Sequence, residues 1–142
     1  MAQKPCLFCR IIAHEAEAMI VFQDDDACVF LDTRPLFLGH CLLVPNLHLQ
    51  TIYELPKRLT SSIFLHAQIV GKAIEQAMHA QGSFIAINNV VSQSVPHLHV
   101  HIVPRNPKDG LKGFFWPRMK YDSIAQMIEV KEQIQHHLTA KI

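Results

Sequence analysis

The run Ser92-Gln93-Ser94-Val95-Pro96-His97-Leu98-His99-Val100-His101-Ile102-Val103-Pro104-Arg105 constrains this chain more than any other segment. Three histidines alternate with apolar residues, and a proline flanks the run on either side. Successive side chains of an extended strand point to opposite faces. His97, His99 and His101 are therefore expected on one face, roughly 6.6 Å apart, with Leu98, Val100 and Ile102 turned to a core on the other. Imidazoles make a poor core surface, so the pattern calls for a site on that side.

Composition places this strand in an ordered globular chain, with 49% of residues hydrophobic and 18% charged. At 142 residues, a single domain over residues 1–142 with one core is expected. A net charge of +1 without blocks of like charge excludes the broad basic footprint of a nucleic-acid binder, while a small anion needs only a local site. No apolar run approaches the ~20 residues of a membrane span. The N-terminus lacks the apolar stretch of a secretory signal, so the cytoplasm is the expected compartment. There Cys6, Cys9, Cys28 and Cys41 stay reduced, which favours metal or buried-thiol roles over disulfides.

Hydropathy and turn residues predict a short helical turn over 10–14, then strands at 19–23, 27–31 and 41–44. The spacing of these strands favours an antiparallel meander. A helix is predicted over 56–79, with Leu59, Ile63, Val70, Ile74 and Ala77 as its stripe and Gly82 just past its end. Strands follow at 84–87 and 97–103. A helix over 122–138 has Ile124, Met127, Ile128, Ile134 and Leu138 as its expected packed side. The fold class is α+β, a five-stranded antiparallel sheet with a long central helix and a C-terminal helix.

The histidine run admits three readings: a solvated surface strand, a metal site built on histidines two apart, or covalent nucleotidyl transfer. In the third, a neutral imidazole attacks an α-phosphorus and water later cleaves the nucleotidyl-histidine. That chemistry needs donors for developing charge on phosphoryl oxygens, and Gln93, Ser94, His101 and Asn88 supply candidates. Cys6-Leu7-Phe8-Cys9 is a second constellation. A redox pair of this spacing follows a strand and opens a helix, and residues 6–9 leave no room for the strand. As a zinc half-site it needs two further ligands. Cys28 and Cys41, on apolar strands, read as buried small hydrophobes. His14, His66, His79, His136 and His137 read as helix-surface residues.

His97-Leu98-His99-Val100-His101-Ile102-Val103 resembles the alternating signature of the histidine triad (HIT) superfamily. Cys6-Leu7-Phe8-Cys9-Arg10-Ile11 resembles the N-terminal box of its zinc-containing members. Phe30-Leu31-Asp32, Gly39-His40, Leu43-Val44-Pro45 and Pro45-Asn46-Leu47-His48 resemble its following motifs. Gly113-Phe114-Phe115-Trp116-Pro117-Arg118 is similar to a segment of one bacterial branch. The segment from Asn88 to His97 departs from the common eukaryotic members: it is shorter and lacks their glycines. Pro96 stands where many members carry an aromatic residue.

The resemblance implies a nucleotide hydrolase or transferase acting on an α-phosphate, with purine nucleotides as usual ligands and a homodimer joined through helix and sheet edges. It implies His99 as nucleophile and His101 as a phosphate contact. Asn88, Gln93, Ser94 and His40 are implied around the phosphate, Asp32 at the ribose hydroxyls, and Phe30 with Ile12 as walls for the base or as core. It also implies a zinc held by Cys6, Cys9, His48 and His97. Four protein ligands leave no open position for water, so that zinc is expected to be structural, with no catalytic cofactor required. The alternative from another class is a purine-nucleotide-binding or interaction module with negligible catalysis.

Overall fold

The computed structural model describes residues 5–112 and 117–138. The chain divides into two compact units, Met1–Asp109 and Gly110–Ile142. In the first, short runs rich in Val, Leu, Ile and Phe form strands β1 (Ile20–Gln23), β2 (Ala27–Leu31), β3 (Cys41–Pro45), β4 (Gly82–Ile87) and β5 (Val100–Arg105). They pair antiparallel in the order β1-β2-β3-β5-β4, so the expected meander and five-stranded sheet are both present.

Alternation along the strands gives the sheet two buried faces. Ala27, Val29, Cys41, Leu43, Val100 and Ile102 pack against Ile63, Ala67, Val70 and Ile74 of α2 (Lys57–Ala77). Cys28, Phe30, Leu42 and Val44 turn the other way, onto Phe8 and Ile11 of α1 (Leu7–Ile12). Cys28 and Cys41 are buried thiols, as expected, and burial pushes both pKa values up. Ala77 lies exposed, and Ala67 takes its place in the stripe. The helix ends at Ala77 with Met78 as its C-cap, slightly short of the expected end; His79 follows in left-handed backbone at φ 52, and Gly82 opens β4.

The triad strand starts later than its pattern suggests. His97, Leu98 and His99 precede β5, and Pro104 lies inside it, paired with Ser83. The cause is local. The His97 N–H bonds the Val95 carbonyl at 2.8 Å and the Leu98 N–H bonds the Leu49 carbonyl at 2.7 Å, so this segment runs against residues 45–49 before it joins the sheet. Gly39, at φ 95, makes the tight approach into β3. A Cβ there sits 2.6 Å from Met78 Cγ, which only glycine avoids.

In the second unit, α3 (Ile124–His137) is capped by Ser123, whose hydroxyl accepts the Gln126 N–H at 3.1 Å. Its expected packed side is exposed at Ile124, Met127, Ile128, Ile134 and Leu138. Gly113 to Trp116, in the segment that resembles the bacterial branch, lie outside the described residues.

Candidate active site and metal centre

Backbone ties bring His97 and His99 under α1. The two are 0% and 3% exposed and pack edge-on against Phe8, with ring centroids 5.9 and 5.1 Å away. Nε2 of His97 donates to the Pro45 carbonyl at 2.8 Å. The neutral ring therefore keeps its lone pair on Nδ1. That atom faces His48 Nδ1 at 3.1 Å, Cys6 Sγ at 3.4 Å and Cys9 Sγ at 3.6 Å. Cys9 Sγ lies 3.3 Å from His48 Nδ1, and the four ligand atoms all fall within 4.8 Å of one another.

A zinc tetrahedron with bonds of ~2.0–2.3 Å has edges of roughly 3.3–3.8 Å, close to these separations. Helix α1 supplies both sulfurs, since Cys6 caps it and Cys9 lies three residues on. Burial and the neighbouring Cys6 raise the Cys9 thiol to about 11. A bound dication is what makes two adjacent thiolates tenable. The donor set fits a structural zinc, whose chemistry is to crosslink α1, the turn after β3 and the triad segment.

Asp32, His40 and His101 form a second cluster of close ligand-type atoms, but its hydrogen bonds point to a different use. The Leu36 N–H donates to His40 Nδ1 at 3.0 Å, so the neutral His40 ring carries its proton on Nε2. Nε2 lies 3.0 Å from His101 Nδ1 and 3.6 Å from Asp32 Oδ2. It donates there and has no lone pair for a metal. His101 thus accepts on Nδ1 and carries its own proton on Nε2, as a donor. Burial, reinforced by His99 and His40, lowers the His101 pKa to about 4, which keeps the ring neutral at ordinary pH. Burial also lowers the His40 pKa, with Asp32 opposing.

His99 stands between the clusters, its ring centroid 5.0 Å from that of His101. Nδ1 of His99 donates to the His97 carbonyl at 2.7 Å, which leaves the Nε2 lone pair available.

The remaining sequence candidates divide. Asp32 is 20% exposed, and its Oδ1 accepts the Arg34 N–H at 2.9 Å. Ser94 lines a cavity of about 640 Å³ together with Cys6, His48 and Pro96. Gln93 donates from Nε2 to the Gln50 carbonyl at 2.7 Å, and its Oε1 is buried with no partner among the described residues. Asn88 donates to the Ser92 carbonyl at 3.4 Å. Phe30 is 3% exposed and packs on Phe8 at 5.3 Å, while Ile12 is half-buried. A cleft of about 610 Å³ beside α2, lined by Val21, Phe22, Leu65, Ile69 and Met78, holds no triad residue and is too apolar for a phosphate. Sequence reasoning missed Leu36, which contributes through its backbone amide, a group that every residue except proline carries.

The chain is similar to known proteins of one family. The HIT domain family matches residues 13–108. The adenylylsulfatase HINT3 of Arabidopsis thaliana is 33% identical over 111 residues, covering 77% of this chain and 56% of that protein, so the chain spans little over half the length of this relative. The adenosine 5'-monophosphoramidase HNT1 of Saccharomyces cerevisiae is 29% identical over 120 residues, 82% of this chain and 73% of that one. Among solved structures, a HIT family protein from Bacillus subtilis superposes with a TM-score of 0.86 at 28% identity, covering 97% of this chain and 100% of that one. A zinc-bound histidine triad protein from Mycobacterium smegmatis gives 0.72 at 28% identity, covering 91% and 97%. With both imidazole clusters, the antiparallel sheet and the matched residues in agreement, the chain belongs to the HIT domain family.

Proposed function

We propose that this protein is a nucleotide hydrolase or transferase that cleaves a nucleotide conjugate at its α-phosphate through a nucleotidyl-His99 intermediate. The observation that carries the reading is the 2.7 Å bond from His99 Nδ1 to the His97 carbonyl, which presents Nε2 as a lone-pair nucleophile. Nε2 forms a bond to the α-phosphorus as the bond to the leaving amine or phosphate breaks, and the leaving group takes up a proton from solvent, which the later attack of water returns. Water then attacks the same phosphorus, restores the imidazole and releases a nucleoside monophosphate. His101, a neutral donor at Nε2, stabilises charge on the phosphoryl oxygens, with His40 behind it. Asp32 serves the ribose hydroxyls, and Ser94, Gln93 and Asn88 the phosphate side. Relatives named as a phosphoramidase and an adenylylsulfatase support purine conjugates with an amine or sulfate leaving group.

Cys6, Cys9, His48 and His97 hold a structural zinc in this reading, and a homodimer forms through α2 and the free edge of β4, where Phe64 and Ile85 are 53% and 48% exposed. Light scattering at the monomer mass contradicts the dimer. No helix among the described residues is long and apolar enough to cross a membrane. A binding module without catalysis is the second reading, favoured by the internal hydrogen bonds that already engage the Gln93 and Asn88 amides. A panel of AMP-amine, diadenosine polyphosphate and nucleotide-sugar compounds separates the two. Turnover of at least one by wild type and by no His99→Ala sample supports the hydrolase, and binding without any turnover supports the module.

A further inference from the structure

The connection from β4 to the triad segment contains two residues in left-handed backbone, Val90 at φ 69 and Ser92 at φ 61. The Val91 N–H bonds the Asn89 carbonyl at 2.8 Å, closing a three-residue turn around Val90. With positive φ at its centre, this is the strained hand of the γ-turn. A β-branched side chain is among the least tolerant of that backbone. Burial offers no compensation, since Val90 and Val91 are 61% and 78% exposed.

Hydrogen bonds hold the turn instead. Asn89 Oδ1 accepts the Ile52 N–H at 2.9 Å, and Gln93 Nε2 donates to the Gln50 carbonyl at 2.7 Å. Between these anchors, the Gln93 N–H bonds the Val90 carbonyl at 3.3 Å and Asn88 Nδ2 donates to the Ser92 carbonyl at 3.4 Å. Both ends of the loop are thus pinned to residues 50–52, and the chain has to reverse twice between the pins. Strain of this kind persists where the surroundings over-determine the backbone.

We propose that Val90 is a positioning residue: its strained turn fixes the direction from which Gln93 and Ser94 meet the phosphate side of the substrate. The proposal rests on the nucleotidyl-His99 reading and names a residue that acts through the loop, without touching substrate. A stiff β-branched residue at the apex narrows the orientations of the two side chains downstream. Glycine adopts the same φ freely and removes the constraint.

The test compares Val90→Gly with Val90→Asn, asparagine being a residue that tolerates left-handed backbone without the freedom of glycine. Val90→Asn is expected to raise Tm by ~3 °C, and Val90→Gly not to lower it, although exposed valine-to-glycine changes elsewhere do. A strong intraresidue Hα–HN nuclear Overhauser effect at position 90 reports the positive φ directly. In turnover, Val90→Gly is expected to lower kcat about tenfold with KM nearly unchanged, and Val90→Asn to regain most of that loss. A fall in Tm for both variants overturns the strained turn. An unchanged kcat in Val90→Gly overturns the positioning role. A wild type that turns over no conjugate removes the reaction and the positioning role with it, while the Tm pair still decides on the strain.

Discussion

The main-chain carbonyl of His97 accepts the Nδ1 proton of His99 at 2.7 Å, while the His97 side chain turns to Cys6, Cys9 and His48. One residue therefore borders both centres: its imidazole joins the ligand cluster and its carbonyl fixes the tautomer of the imidazole two positions on. Anything that loosens His97 loosens the orientation of His99.

Stripping zinc is accordingly expected to destabilise the protein and to degrade activity only through order. Elemental analysis of untreated protein should find about one zinc per chain, and chelation should lower Tm by at least ~5 °C. Cys6→Ser should reproduce the effect. Protein that contains no zinc as purified and whose Tm ignores a chelator contradicts the assignment.

The chain of bonds from the Leu36 N–H through His40 to His101 predicts a single tautomer. Nitrogen-15 shifts of His101 should show a protonated Nε2 and a bare Nδ1 at pH 7, and His40→Ala should mix the two forms while lowering kcat by about 10²-fold. Because His101 titrates at about 4, it should contribute no acid limb to the rate profile above about pH 5. A doubly protonated His101 at pH 7 excludes the arrangement.

His66 lies outside the site, yet it yields a pH prediction of its own. Nδ1 lies 2.6 Å from the Ser62 carbonyl and Nε2 lies 2.6 Å from Asp24 Oδ2, while the Ser62 hydroxyl gives its proton to Asp26 at 2.7 Å. Both ring nitrogens therefore donate, so the ring is an imidazolium, with Phe22 beside it at 5.6 Å. Burial opposes the charge, but the Ser62 carbonyl and the Asp24 carboxylate outweigh it and raise the pKa. A raised folded pKa stabilises the native state below the unfolded value, and that contribution is lost as pH rises through the folded one. Asp24, whose pKa is lowered by His66 and the Asp26 and Ala27 amides against burial, loses its share as pH falls through its own folded value. The Tm gap between wild type and His66→Gln should thus be widest in the acidic range between those two limits, at a few degrees, and shrink on going to alkaline pH. A gap that widens on going alkaline has the wrong sign for an imidazolium.

Much of this was legible from local pattern. The apolar runs of β2 and β3 and the stripe of α2 are statements about neighbouring residues, and the strands and the helix follow them. The Cys6–Cys9 spacing likewise announced half of the ligand cluster. Features set by distant partners were not legible. The late start of β5 depends on Leu49 receiving the Leu98 N–H. His66 looked like a helix-surface histidine because its acceptor on Asp24 lies in the turn after β1. Phe30 offered wall and core equally from sequence, and its edge contact with Phe8 depends on α1, a separate segment of the chain. Strain at Val90 is invisible in composition, since nothing in a Val-Val pair announces positive φ.

A bond from His99 Nε2 to the α-phosphorus leaves a covalent adduct that can be trapped. Rapid acid-free quenching of wild type with an adenosine phosphoramidate, followed by peptide mass mapping, should recover an adenylyl group on the peptide that carries His99. The group should be absent in His99→Asn, which should still bind AMP. Turnover by wild type with no adduct at any quench time, or with the adduct on another residue, contradicts that bond.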